Sequence, residues 1–343
     1  MSPATVHGPC RQWRPLRGAS NPRRRLHAHV DKGCSPVQHR CVATRKRATS
    51  RGKAHRFGGD WTSSKLAIIG EYLKGYTTAL KKQPFRTAYI DAFAGTGYRA
   101  LQDEGTAANL LFPDLAADAP QSLLDGSARI ALKTTPRFDS YIFVERSAGR
   151  CRELEALKTE FPDLAAEISV RRGDANTEIR ALCAKDWSSH RAVLFLDPYG
   201  TQVEWATIEA VAATKAIDLW ILFPLGIGVN RLLTRSGEIP TSWRRRLDVL
   251  LGTEEWYDAF YKVEHAPTLF DTQEKKVVKA TMETIGRYFN NRLAGVFAGV
   301  APEPRVLLNS ANCPLYLLCF AVGNAKGAPV ALRIANHLLK TVG

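Results

Sequence analysis

Between residues 62 and 81 apolar side chains recur at Leu66, Ile69, Leu73, Tyr76 and Leu80, a spacing that puts them on one face of an α-helix with Thr62 available as its cap. Gln83-Pro84 ends that helix. A different pattern follows. Thr87 to Phe93, Tyr141 to Glu145, Ile168 to Arg171, Ala192 to Leu196 and Ile217 to Phe223 are short apolar runs, and helical stretches at 148–160, 176–185 and 203–214 alternate with the last four. The run AVLFL at 192–196 has no polar alternation, as expected of a strand buried on both faces. Five strands separated by crossovers predict a parallel sheet with helices on both sides.

The end of the chain changes character. Residues 226–300 predict helices, notably 241–261 and 272–297, followed by strands at 305–309 and 315–322 joined through Ser310 to Pro314, and a closing helix at 328–340. Five parallel strands finished by an antiparallel hairpin resemble class I methyltransferase folds. The expected architecture is therefore α/β and Rossmann-like: a mostly parallel, seven-stranded sheet, with 57–343 as the domain and 226–300 as a helical insertion. The sequence shows no internal repeat.

Length and charge refine this picture. The chain has 343 residues, 45% of them apolar, enough for a sizeable core, and a formal net charge of +15. Most of that charge is local: residues 1–56 carry fourteen Lys and Arg against one acid, Asp31. This segment holds five prolines and no apolar periodicity, which predicts disorder. Three readings of it stay open. Arg23, Arg24, Arg25 and Arg45, Lys46, Arg47 could neutralise phosphates as a basic arm. The composition also suits an organellar transit segment. Alternatively, residues 1–56 are upstream sequence that does not belong to the natural protein.

No secretory apolar core is present, and the longest apolar stretch, Leu315 to Val322, is too short to cross a bilayer. Of seven cysteines, Cys10, Cys34 and Cys41 lie in the tail and Cys151, Cys183, Cys313 and Cys319 in the body, with no C-x-x-C pair. The body cysteines are expected to be the reduced thiols of a cytoplasmic protein without membrane association. His27, His29, Cys34, His39 and Cys41 lack regular metal-ligand spacing, and no metal is expected.

In an open parallel sheet the ligand crevice lies beyond the carboxyl ends of the strands. Four successive strand ends carry an acid there: Asp91 before Ala92-Phe93-Ala94-Gly95-Thr96-Gly97, then Glu145, Asp174 and Asp197. This constellation fits S-adenosylmethionine. Gly95 and Gly97, with Phe93 in the same loop, would let the backbone approach the methionine end. Glu145 would accept from both ribose hydroxyls and Asp174 from the adenine amine. Each acid alone can also be a helix cap or a solvated loop end. A nicotinamide or flavin site competes through Gly95-x-Gly97-x-x-Ala100, but Gly105, Pro113 and Pro120 interrupt the helix that such a fingerprint requires.

Asp197-Pro198-Tyr199 supplies candidate catalytic groups. The Asp197 carboxylate and the Pro198 carbonyl can accept the two hydrogens of an exocyclic amine, drawing its lone pair out of conjugation, while Tyr199 stacks on the extruded base. The segment resembles the D-P-P-Y motif of nucleic-acid amino-methyltransferases, with one proline missing and Gly200 following. D-P-[FY]-G resembles tRNA guanine N2-dimethyltransferases and D-x-F-x-G-x-G the adenine N6 enzymes, so both bases stay open. So does a purely structural role, with Asp197 capping the next helix and Tyr199 packed beside it.

Taken in order, YIDAFAGTG, YIFVE, LFLDPYG and LYLLCFAVGN, with helix 62–81 in front, resemble the three-Cys-motif partner family, TcmP, over residues 57–343. The resemblance implies a methyltransferase-like fold, a phage or mobile-element association and a separate three-cysteine protein encoded nearby. It settles no substrate. Two functions follow as expectations: methyl transfer to an exocyclic amine of DNA or RNA, or a catalytically silent scaffold that binds a partner protein or nucleic acid. Residues 98–123 could form a lid or a surface loop. Trp243, Arg244, Arg245, Arg246, Lys275 and Lys276 near Trp256 and Tyr257 could meet a nucleic-acid backbone or form a solvated face.

Overall fold

The computed structural model describes residues 60–94, 126–266 and 274–342, the side chains of Asp60, 264–266 and 274–276 excepted. The basic segment 1–56, Gly95, Gly97, the insertion 98–123 and the Lys275 and Lys276 side chains therefore lie outside the described residues.

Helix α1 spans Asp60–Leu80. Leu66, Ile69, Leu73 and Tyr76 are buried as their spacing predicts, and Ile68 and Tyr72 widen the stripe. Five parallel strands follow: β1 (Arg86–Asp91), β2 (Ser140–Glu145), β3 (Ile168–Arg172), β4 (His190–Leu196) and β5 (Ile217–Phe223), in spatial order β3-β2-β1-β4-β5. Around them lie α2 (Gly126–Leu132), α3 (Ala148–Glu160), α4 (Ala175–Cys183) and α5 (Trp205–Ala213). All seven residues of β5 are buried, so this strand is covered on both faces.

After β5 the insertion departs from the expected helices. Helices α6 (Thr241–Leu251) and α7 (Trp256–Phe260) are separated at Gly252, which ends α6 in a left-handed conformation with φ 66°. Strands β6 (Tyr261–Ala266) and β7 (Glu274–Lys279) then pair antiparallel, so that of the helix expected over 272–297 the first part is the strand β7 and only α8 (Met282–Ala294) is helical. The β-branched pair Val277-Val278 favours the strand, because both side chains lose rotamer freedom in a helix.

The sheet is completed by β8 (Gly299–Val300), β9 (Arg305–Leu308) and β10 (Pro314–Val322), followed by α9 (Ala328–Thr341). Strand β10 runs antiparallel to β5, and β8 and β9 both pair with its other side. The sheet thus has eight strands rather than seven. Pro302 and Pro304 lie between β8 and β9 and cannot donate to the ladder, which splits the position beyond β10 in two. This order, with a penultimate antiparallel strand, is the Rossmann-like class I methyltransferase fold.

Its core has two sides. Tyr89, Tyr141, Phe143, Val193, Phe195, Trp220 and Phe320 share one cluster with residues of α1, α2, α3 and α9. Ala88, Ile90, Ala192, Leu194, Leu219 and Ile221 share the other with α4, α5, α6 and α8. The alternation along β1 follows from the period of two in a strand.

Candidate active site

The strand order reverses between β1 and β4, so their carboxyl ends flank the switch point of the sheet. Asp91 pairs in register with Phe143 of β2 and Phe195 of β4, and Glu145 pairs with Arg172 of β3. Glu145 lies two residues beyond Phe143, on the same pleat face as Asp91. Asp197 and Asp174 follow Phe195 and Arg172 by the same step. The four acids therefore gather along one rim.

Their surroundings differ. Asp91 is fully buried; its Oδ2 accepts from the Tyr89 hydroxyl at 3.2 Å, and among the described residues its Oδ1 has no well-aligned donor. Burial pushes its carboxyl up to about 7; the Ser127 hydroxyl opposes this, the Asp197 charge adds to it, and Tyr89 and Lys65 oppose it. Glu145 is 8% exposed. Its Oε1 accepts from the Ser147 backbone N–H at 2.7 Å and its Oε2 lies 3.6 Å from Arg150 Nη1, while Arg150 Nη2 is buried without a partner. Asp174 is exposed and caps α4, accepting from the Thr177 backbone N–H at 3.1 Å.

Asp197 stands just past β4, with its side chain 31% exposed, and its Oδ2 accepts from Lys65 Nζ at 2.5 Å. Pro198 is buried beside it, and Tyr199 is 43% exposed, an unusual exposure for a large aromatic side chain. Gly200 adopts φ 75°, the left-handed region that disfavours any residue with a Cβ, and the Tyr199 N–H donates to Gln202 Oε1 at 3.1 Å. This turn accounts for the glycine where the amino-methyltransferase motif continues differently. Phe93 packs, partly buried, against the second core cluster.

Three residues of this site are not singled out by motif. Lys65 and Trp61 come from α1, and Tyr316 from β10. Lys65 Nζ lies 5.3 Å from the Trp61 ring centroid and 5.8 Å from that of Phe195. Trp61 and Tyr316 are tilted against each other with centroids 5.3 Å apart. Lys65 sits four residues after Trp61 and four before Ile69, on the helix face that enters the core. A lysine on an apolar stripe was the signal available in the sequence.

Among the described residues no group of three or more His, Cys, Asp or Glu could hold a metal ion, and no helix is long and apolar enough to cross a membrane. Cys151, Cys183, Cys313 and Cys319 are free thiols. Chemically, the rim offers an unused buried carboxylate oxygen, a second carboxylate held by a lysine, and an exposed aromatic face.

No family model matches the chain, and no curated protein does. Among solved structures, a Legionella pneumophila protein of the DUF519 family aligns at 11% identity over 84% of this chain and 94% of its own, with a TM-score of 0.41. A spermidine synthase from Thermotoga maritima aligns at 9% identity over 79% of this chain, with a TM-score of 0.36; the match covers 63% of that enzyme, under two thirds of its length. Fibrillarin from Aeropyrum pernix, solved with natively bound S-adenosyl-L-methionine, aligns at 16% identity over 64% of this chain and 76% of its own, with a TM-score of 0.23. At these scores the fold rests on the chain's own strand order.

Proposed function

We propose that this protein is an S-adenosylmethionine-dependent methyltransferase acting on an exocyclic amine of a nucleic-acid base. The observation that carries the reading is the rim itself: Asp91, Glu145 and Asp197 stand at the carboxyl ends of adjacent strands at the switch point, beside the exposed Tyr199 ring. The buried Asp91 oxygen without a partner suits a cationic ligand, since an unpaired acceptor there otherwise remains uncompensated. Asp91, Glu145, the Phe93 loop and Asp174 would hold the cofactor, with Gly95 and Gly97 as the proposed close-approach positions. When bound, S-adenosylmethionine supplies an electrophilic methyl group on a sulfonium.

The chain's own residues do the rest. Asp197 and the Pro198 carbonyl accept the amine hydrogens, which turns the nitrogen lone pair out of the ring plane. Tyr199 stacks on the base and fixes its plane. The proton released by the methylated amine passes to Asp197. Orientation contributes most of the acceleration, because the amine must stand in line with the carbon–sulfur bond. Membership of the three-Cys-motif partner family, a nearby-encoded partner and a cytoplasmic location belong to this proposal, as do DNA or RNA as the polymer and a basic arm at 1–56.

A scaffold without catalysis is the second reading. Its support is that Glu145 and Asp197 already have cationic neighbours, Arg150 and Lys65. Calorimetry with S-adenosylmethionine on wild type and Glu145→Ala separates the two: methyltransferase function requires binding that weakens at least about tenfold in the variant. Labelled methyl transfer to bulk DNA, tRNA and rRNA should then vanish in Asp197→Ala, and transfer that survives overturns the catalytic assignment.

A further inference from the structure

Helix α1 lies ahead of the first strand, yet it delivers a charged group to the proposed acceptor site. The Lys65 side chain is 6% exposed, and its Nζ reaches Asp197 Oδ2 at 2.5 Å. A buried ammonium is expensive to hold, and a buried ion pair is weak evidence for a purely stabilising role, because apolar residues of similar volume often replace such pairs without loss. Lys65 also comes close enough to Asp91 to lower its carboxyl pKa against the burial effect, so one cation serves the ends of two neighbouring strands. Around the pair stand Trp61 and Tyr316, and both Asp197 and Tyr199 are near enough to Tyr316 to add to the rise that burial causes in its phenol. Among the described residues Asp197 Oδ1 takes no hydrogen bond.

We propose that Lys65 is the positioning residue of the acceptor site: it fixes Asp197 Oδ2 so that Oδ1 meets the amine, within a subsite bordered by Trp61, Tyr199 and Tyr316 that takes a flat heteroaromatic amine. This rests on the methyl-transfer reading above. The amine nitrogen forms its bond to the methyl carbon as the carbon–sulfur bond breaks, with the electron pair left on sulfur and the amine proton passed to Asp197 Oδ1. Lys65 transfers no proton. Because the lysine arrives from α1, the acceptor side of the site is built across α1, the β4 end and β10, whereas the proposed donor side is built from β1, β2 and β3.

The test uses the full chain with methyl-labelled S-adenosylmethionine and three probes, bulk DNA, tRNA and rRNA, on wild type, Lys65→Met, Lys65→Arg, Asp197→Asn and the double variant Lys65→Met with Asp197→Asn. In Lys65→Met, donor affinity by calorimetry at pH 8 should fall by no more than about threefold, the part owed to Asp91, while kcat falls by about 100-fold with KM for the nucleic acid nearly unchanged. Lys65→Arg should recover at least about tenfold of that loss, because a guanidinium can hold the same oxygen. The double variant should be no slower than Asp197→Asn alone, since both changes remove one interaction. Wild-type kcat in Lys65→Met overturns the role of Lys65 and leaves the methyl-transfer reading standing. A tenfold loss of donor affinity in that variant also overturns it, placing the lysine on the cofactor instead. If wild type binds no donor or methylates none of the three pools, the reading and the inference fall together. Should Lys65→Met melt below the assay temperature, Lys65→Gln and Lys65→Arg decide by the same split between kcat and KM.

Discussion

Two carboxyls are buried against the same side of the sheet, at opposite ends of its strands, and they are treated differently. Asp218, the second residue of β5, accepts from the Tyr72 hydroxyl at 2.8 Å through Oδ2 and from the Gly323 N–H at 3.2 Å through Oδ1. Asp91, the last residue of β1, accepts from Tyr89 at Oδ2 and has the Ser127 hydroxyl close by, but among the described residues its Oδ1 has no well-aligned donor. Burial pushes both carboxyls up to about 7. Desolvation alone therefore does not separate them. What separates them is satisfaction: Asp218 ties α1 to β5 and to the turn after β10, whereas Asp91 keeps an open acceptor beside Asp197 and Lys65. A completed set of hydrogen bonds is what a structural tie requires, and the less complete set at the switch point is what the proposed donor site would use.

The contrast breaks most visibly in stability. Asp218→Ala leaves the Tyr72 hydroxyl and the Gly323 N–H unpaired in the core, at about 1–3 kcal/mol each, and should cost about 3 kcal/mol in urea unfolding. Asp91→Asn should cost about 1 kcal/mol or less, because it keeps the shape and an amide oxygen that still accepts from Tyr89 or Ser127. Equal losses in the two variants would erase the distinction between a tie and a site.

Next in size is a pH effect with a definite sign. Burial raises each carboxyl to about 7 from an ordinary 3.8, so the folded state binds more protons between those values. The associated stability is fully present below the unfolded pKa and is lost as pH rises through the folded one. Stability should fall by up to about 1.4 kcal/mol per pH unit for each group across that window. Asp218→Asn should flatten the slope seen in urea titrations at pH 5, 6 and 7, and an unchanged slope would exclude Asp218 as its source.

The donor should read Asp91 in the opposite sense. Groups bearing on Asp91 are Tyr89 of its own strand, Ser127 of α2, Lys65 of α1 and Asp197 past β4. A cationic ligand favours the ionised carboxylate, so S-adenosylmethionine affinity should rise by up to about tenfold from pH 6 to 8, with proton release on binding. Asp91→Asn should remove that rise. Calorimetry in two buffers of different ionisation enthalpy measures the released proton directly.

Much of this molecule is legible in its sequence, for identifiable reasons. Strands β4 and β5 announce themselves because strands buried on both faces need uninterrupted apolar runs, whereas the edge strand β3 buries only Ile168, and Asp197-Pro198-Tyr199-Gly200 is visible because a turn is short and local. The pair β6–β7 is less legible: the six residues of β7, one Glu with three Lys and two Val, fit either period. Lys65 and Tyr316 escape for another reason. Each lies inside an element whose overall pattern is apolar, and their approach to Asp197 is set by packing between segments 132 and 119 positions away. No local pattern encodes such a meeting, although a lone lysine on a core-facing stripe is a clue in itself.

Asp174 gives the finest test of the rim, because its two roles separate under one conservative change. As the cap of α4 it satisfies the Thr177 N–H, and Asp174→Ala should cost about 1 kcal/mol in unfolding experiments. Asparagine caps about as well as aspartate, so Asp174→Asn should shift stability by only a few tenths of a kcal/mol. Its amide nitrogen, however, cannot accept from an adenine amine as a carboxylate oxygen does. If Asp174 contacts the cofactor as well as capping, the Asn variant should keep its melting temperature and lose about threefold to tenfold in S-adenosylmethionine affinity. An unchanged affinity would reduce Asp174 to a cap and shorten the functional rim to Asp91, Glu145 and Asp197.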